Sequence, residues 1–149
     1  MANETIDQWL RREWRELGFY YDRNDQTRVW RFIGSRSGLL RFHDDLLEYA
    51  DDQSNDYKSE HSHYGPYSYL KIMTWPEPSF EKDAIQGSLT DLRRLAAIVG
   101  NKLAMARLGD SIHIQDEFAE NSPYGLILEV REDDFDPAQA DPKLSKEAD

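Results

Sequence analysis

Residues Glu60 to Trp75 read E-H-S-H-Y-G-P-Y-S-Y-L-K-I-M-T-W. The second half of this stretch is the most strand-like segment of the chain. Ser68, Leu70, Ile72 and Thr74 alternate with Tyr67, Tyr69, Lys71 and Met73. Both sets are substantial, so the spacing predicts a strand over 67–75 placed centrally in a sheet. Pro76 and Pro78 end it. The first half holds two of the four histidines and the Gly65-Pro66 step. With the polar residues before it, 53–65 reads as a long, partly ordered loop, a length that is uncommon unless functional or mobile.

Upstream, Thr5 with Gln8 forms a capping-box pattern for a helix over 5–17. Ile6, Trp9, Leu10 and Leu17 mark its apolar face, Trp14 lies off the centre of that face, and Gly18 supplies the stop. Residues 19–22 and 28–33 are strand-like and predict a hairpin around Asn24 to Thr27. A second helix follows over 35–52 with Ser37 as N-cap. Leu39, Phe42, Leu46 and Tyr49 form its buried stripe, with Arg41, Asp45, Glu48 and Asp52 opposite.

Downstream, 83–86 reads as a short edge strand. Ser88 with Asp91 caps a third helix running to about Arg107, with Leu92, Leu95, Ala96, Val99 and Leu103 inward. Residues 111–115 and 124–131 alternate and predict an antiparallel hairpin around a loop over 116–123. The element order does not alternate regularly. It predicts an α+β fold: one mostly antiparallel sheet of five to six strands with three helices on one face, a single two-layer domain over 1–135. Residues 136–149 read as an acidic, Pro-containing tail, partly disordered.

The 149 residues carry 29 acidic against 18 basic side chains, a formal net charge of −11. Residues 132–149 hold −5 of this, leaving −6 on the body. Such a field repels nucleic-acid phosphate and anionic lipid, and attracts cationic partners. The absence of cysteine excludes disulfides, thiol nucleophiles and thiolate metal sites. The N-terminus lacks the basic start and apolar run of a signal peptide, and no stretch is apolar enough to span a bilayer. The expected location is cytoplasmic.

Chemistry-bearing residues concentrate before the quoted strand. From Asp44 to Glu60 there are seven carboxylates against one lysine, Lys58. A solvated helix face is the simplest meaning of such a run. Its repulsion is nonetheless offset only by Arg41, and a basic partner would relieve it. Tyr57 and Tyr64 are amphipathic aromatics of the kind that anchor interfaces, whereas Tyr69 and Trp75 read as core. His61 and His63 fall on the same side of an extended segment. With Glu60, Tyr64, His43 or His113 they offer a weak metal-ligand pattern. As an acid–base set, His63 would be the base, Glu60 or Asp56 its orienting partner, and Tyr64 or Lys71 a charge stabiliser. No nucleophile elbow, phosphate-binding glycine loop or H-E-x-x-H accompanies them.

The stretch over 60–75 resembles the central block of small bacterial immunity proteins of polymorphic toxin systems, most closely the immunity protein 32 family. L-G-F-Y-Y-D from Leu17, G-S-R-S-G-L-L from Gly34 and L-I-L-E-V-R-E-D-D-F-D-P from Leu126 fit the same pattern, extending the resemblance over 17–142. It implies a small, acidic, cytoplasmic, non-catalytic protein that binds and neutralises a cognate toxin domain, often a nuclease. No catalytic residue or cofactor carries over. On that reading the partner-binding residues are Asp45, Glu48, Asp52, Asp56, Tyr57, Glu60, His61, His63 and Tyr64. The alternative is a small metal- or ligand-binding domain, possibly enzymatic, centred on Glu60, His61, His63 and Tyr64.

Overall fold

A computed structural model describes residues 4–144. Helix α1 (Ile6–Leu17) is followed by strands β1 (Tyr20–Asn24) and β2 (Val29–Ser35), then helix α2 (Arg36–Asp51). Strands β3 (His61–Tyr64), β4 (Leu70–Thr74), β5 (Ser79–Phe80) and β6 (Ile85–Gly87) lead to helix α3 (Leu89–Met105). Strand β7 (Ser111–His113), helix α4 (Gln115–Ala119) and strand β8 (Gly125–Arg131) complete the domain, with 3-10 turns at Gln53–Asn55 and Pro137–Ala140.

The α+β class is correct, but the expected single sheet is two sheets of four strands, ordered β1-β2-β8-β7 and β3-β4-β6-β5. Each joins two hairpins through a parallel inner pair, β2 with β8 and β4 with β6. The described helices number four rather than three. Hairpins announce themselves locally by alternation and a turn. Which hairpins then join edge to edge depends on pairing across about a hundred residues, as in Val29 with Gly125. The sheets meet through side chains: the Tyr21 hydroxyl donates to the Tyr64 carbonyl at 2.8 Å, and Trp30 Nε1 donates to that of Glu81 at 2.9 Å.

Local signals fared well where caps were explicit. Both capping boxes form, Thr5 with Gln8 and Ser88 with Asp91. Gly18 ends α1 at φ 96°. The predicted buried faces of α2 and α3 are buried, and the β1–β2 and β7–β8 hairpins are antiparallel.

The differences have physical reasons. Helix α2 is capped by Ser35 rather than Ser37: β2 remains paired to β8 up to Ser35, whose hydroxyl then accepts from Gly38 N at 3.0 Å. In α1 the buried stripe is Leu10, Trp14 and Leu17, spaced by four and three residues, while Ile6 (78% exposed) and Trp9 project beyond the body. Residues 61–64, expected in a loop, pair with β4 although only Tyr64 supplies apolar bulk. The predicted strand over 67–75 is shorter, because Gly65 (φ 84°) and Ser68 (φ 58°) turn the chain before Leu70. The predicted edge strand near 83–86 lies inside its sheet as β6, with β5 at the edge. The loop over 116–123 contains α4, which buries Phe118 against Phe80 at 5.1 Å.

Residues 136–144 of the expected tail lie against the body, with Pro137, Ala138 and Asp141 buried. The Asp141 carboxylate accepts from Trp14 Nε1 at 2.9 Å and from the Tyr67 hydroxyl at 2.6 Å. Residues 145–149 of that tail lie outside the described residues. Among the described residues no helix is long and apolar enough to cross a membrane.

Candidate functional site: the acidic face of α2 and strand β3

Helical spacing places Arg41, Asp45, Glu48 and Asp52 along one side of α2, away from the stripe of Leu39, Phe42, Leu46 and Tyr49. Asp44, Glu48, Asp51, Asp52 and Asp56 are exposed, and Asp45 is half-buried. Among the described residues, ion pairing relieves little of this. Asp51 reaches Arg93 at 3.4 Å and Asp44 lies 2.9 Å from His43 Nδ1. Asp52 accepts from Ser54 N at 3.0 Å and Ser54 Oγ at 2.6 Å, capping the 3-10 turn. Those hydrogen bonds hold its carboxyl below the usual range.

Asp45 behaves in the opposite way. Burial pushes its carboxyl up to about 6; Arg41 opposes the shift, while Glu48 and Asp44 add to it. The Tyr64 phenol is likewise raised to about 12, by burial first and then by Asp45 and Glu48. The structure thus brings Asp45, Glu48 and Tyr64 into one electrostatic group.

The segment expected to be a loose loop is tied down. The Tyr49 hydroxyl donates to the Glu60 carbonyl at 2.7 Å and lies 2.8 Å from Thr74 Oγ1. Thr74 Oγ1 in turn donates to the Asn55 carbonyl at 2.7 Å, and Asn55 Nδ2 donates to that of Tyr49 at 2.8 Å. This closed network fixes residues 55–60 beside the end of α2. On its outside, Tyr57 is 60% exposed with its hydroxyl bonded to the Glu60 carboxylate, and Lys58 Nζ lies 4.5 Å from the Trp75 ring.

Along β3 the alternation turns Ser62 and Tyr64 partly inward and leaves His61 and His63 exposed. Each histidine donates from Nδ1 to a main-chain carbonyl at 2.9 Å, His61 to Ser59 and His63 to Ser68. Their rings stand perpendicular, 5.0 Å apart. The four histidines are not gathered. His43 packs against Gly100 where α2 crosses α3, and His113 lies on β7 in the other sheet. Among the described residues, no group of three or more His, Cys, Asp or Glu side chains is arranged to hold a metal ion.

Sequence reasoning placed the acidic ridge and the neighbouring aromatics together, and the structure does so. It missed the Tyr49–Thr74–Asn55 network, whose members are ordinary residue types with no diagnostic spacing. It also read Tyr69 as core, whereas Tyr69 is 56% exposed. The left-handed Ser68 breaks the alternation from which that reading came. No protein-family model, curated protein or solved structure matches the chain.

One consequence for stability follows from Asp45. A carboxyl whose pKa is raised in the fold binds its proton more tightly there than in the unfolded chain. Its contribution to stability is therefore full at low pH and is lost as pH rises from about 4 through 6. At neutral pH the ionised side chain is a destabilising charge. Asp45→Asn should raise Tm by a few degrees at about pH 7, with the gain shrinking toward pH 4. Thermal melts at the two pH values check this; an equal gain at both would remove the electrostatic cause.

Proposed function

We propose that the chain is a non-catalytic immunity protein that binds and neutralises a basic bacterial toxin domain by covering its active face. The observation that carries this reading is the ridge of Asp45, Glu48, Asp52 and Asp56: Glu48 and Asp56 are exposed with no ion-pair partner among the described residues, and their like-charged neighbour Asp45, raised chiefly by burial, is raised further by repulsion from Glu48 and Asp44. A basic surface set against that ridge removes the repulsion and is steered toward it at long range. Tyr57 supplies an exposed aromatic anchor at its end, next to Asp56, with Tyr64, Glu60, His61 and His63 as further candidates. The resemblance over 17–142 points to the same role. Neutralisation on this reading is steric and electrostatic occlusion, and no proton transfer by this chain is required.

The test uses tagged full-length protein purified at low salt from its own cells, alongside a Glu48→Lys/Asp56→Lys variant. Both replaced side chains are exposed and free of hydrogen bonds among the described residues, and Asp52 is left in place because it caps the turn. The expected partner is a basic domain that is toxic when produced alone and harmless with the wild-type chain. The variant should bind it at least about tenfold more weakly at low salt, mainly through slower association. Unchanged affinity, or a partner without toxicity, would overturn the reading.

A further inference from the structure

A second feature lies away from the acidic ridge, at the free edge of β1. There α1, the turn at 65–69 and the C-terminal segment enclose a cleft of about 270 Å3. Its walls include the rings of Trp14, Tyr20, Tyr21, Trp30, Tyr67 and Tyr69. It lies just under the ~300 Å3 at which pockets for drug-sized ligands begin, leaving room for one side chain or a small metabolite.

The polar ends of these walls are largely hydrogen-bonded already within the fold. Trp14 Nε1 and the Tyr67 hydroxyl both donate to buried Asp141, Trp30 Nε1 donates to Glu81, and the Tyr21 hydroxyl donates to Tyr64. The cleft therefore offers mainly ring faces, backed by the carboxylate of Asp141; the other lining carboxylate, Asp22, is paired with Arg31 at 2.7 Å. Arg23, the lining cation nearest Trp30, is held by Asp25 at 2.6 Å and donates to the Lys82 carbonyl at 2.9 Å. Ring faces with negative charge behind them favour a cation over a neutral guest.

Besides Arg23, whose guanidinium carbon lies 5.6 Å from the Trp30 ring, a second cation sits at the mouth. Lys143 Nζ lies 4.8 Å from the Tyr67 ring and 5.7 Å from the Tyr69 ring, over a pair stacked at 5.6 Å. Among the described residues the Lys143 ammonium has no carboxylate partner, and the residue is exposed. An exposed ammonium held by ring faces alone is weakly held.

We propose that this cleft is a binding site for an alkylammonium group, with Lys143 as the built-in occupant that must leave before the ligand enters. The group can come from a free amine or from a lysine side chain of a bound polypeptide, since both present the same cation to the same rings. The site is independent of the immunity reading, because none of its residues lies on the acidic ridge.

The test follows the indole Nε1–H resonances of Trp14 and Trp30 in the full-length protein during titration with tetramethylammonium chloride. Sodium chloride controls for ionic strength and tert-butanol serves as the neutral, similarly shaped probe. A capped tripeptide with a central trimethyl-lysine forms a second arm. Tetramethylammonium should produce saturable shifts that tert-butanol does not. Lys143→Ala should bind it about fivefold or more tightly than wild type, because an internal competitor lowers apparent affinity by the fraction of open cleft. Adding Tyr69→Ala, a half-exposed position whose loss leaves the core intact, should abolish the shifts. Tighter binding of the tripeptide than of the free ion identifies the polypeptide source, and the reverse order identifies the free amine. Absence of saturable shifts in Lys143→Ala, equal shifts with tert-butanol, or equal affinity with and without Lys143 would overturn the proposal.

Discussion

Phe32→Ala is expected to cost about 3–5 kcal/mol, the largest loss from any single truncation considered. Phe32 is fully buried on β2, with its ring stacked on Phe19 at 4.8 Å and meeting Phe42 edge-on at 4.9 Å. These three residues join the first sheet to α2, so the ring connects layers as well as filling volume. β2 is hydrogen-bonded on both sides, to β1 and β8, and cannot move inward to close the cavity. The lost transfer energy and the unfilled space therefore add, and the aromatic pair geometry contributes further. Against a total stability of about 5–15 kcal/mol for a domain, this is about a fifth of the fold or more. Urea unfolding should show a lower midpoint with an unchanged slope. A loss below about 1 kcal/mol would mean that Phe32 is not at the centre of the core.

Gly38→Ala is the second, and here two effects of opposite sign compete. Alanine is the better helix former by about 1 kcal/mol, and Gly38 lies in the first turn of α2. A β-carbon at that position would nevertheless fall 2.2 Å from the Gly18 carbonyl oxygen and 3.2 Å from its carbon. Both are backbone atoms, and Gly18 is itself the left-handed stop of α1. Neither partner is a side chain that can swing away, so the end of α1 and the start of α2 must separate. Overpacking of this kind costs about 1–3 kcal/mol and sometimes more, which outweighs the propensity gain. The expected net result is a lower urea midpoint, together with faster hydrogen exchange at the end of α1. A stabilised variant would show that the two backbones do not approach as described.

The candidate site was partly legible. Asp45, Glu48 and Asp52 share a helix face by spacing alone, and that face is where the charge lies. What spacing could not show is that Asp45 is half-buried beside Tyr64 while Asp52 is spent on a cap. Those two carboxylates look alike in the sequence and differ in the fold because one meets a neighbouring strand and the other only its own turn. The aromatic cleft was less legible still. Its walls come from α1, β1, β2, the turn before β4 and residues 141–143, and each ring taken alone reads as ordinary core.

By itself the sequence determined the features that reside within a few residues of each other. The capping boxes at Thr5 and Ser88, the stop at Gly18, the buried stripes of α2 and α3, and the β1–β2 hairpin are of this kind. Each is settled by side chains three or four positions apart, or by alternation beside a turn, so the information is local. Only the tertiary structure decided the division into two sheets, the parallel pairing of β2 with β8 and of β4 with β6, and the recruitment of polar β3. It also decided that Trp14, off centre on its helix, would become a deeply buried residue closed over by Asp141 from the far end of the chain. Backbone pairing carries almost no side-chain signature, and a buried indole N–H can be satisfied by an acceptor at any separation in sequence, so neither could be read before the chain was folded.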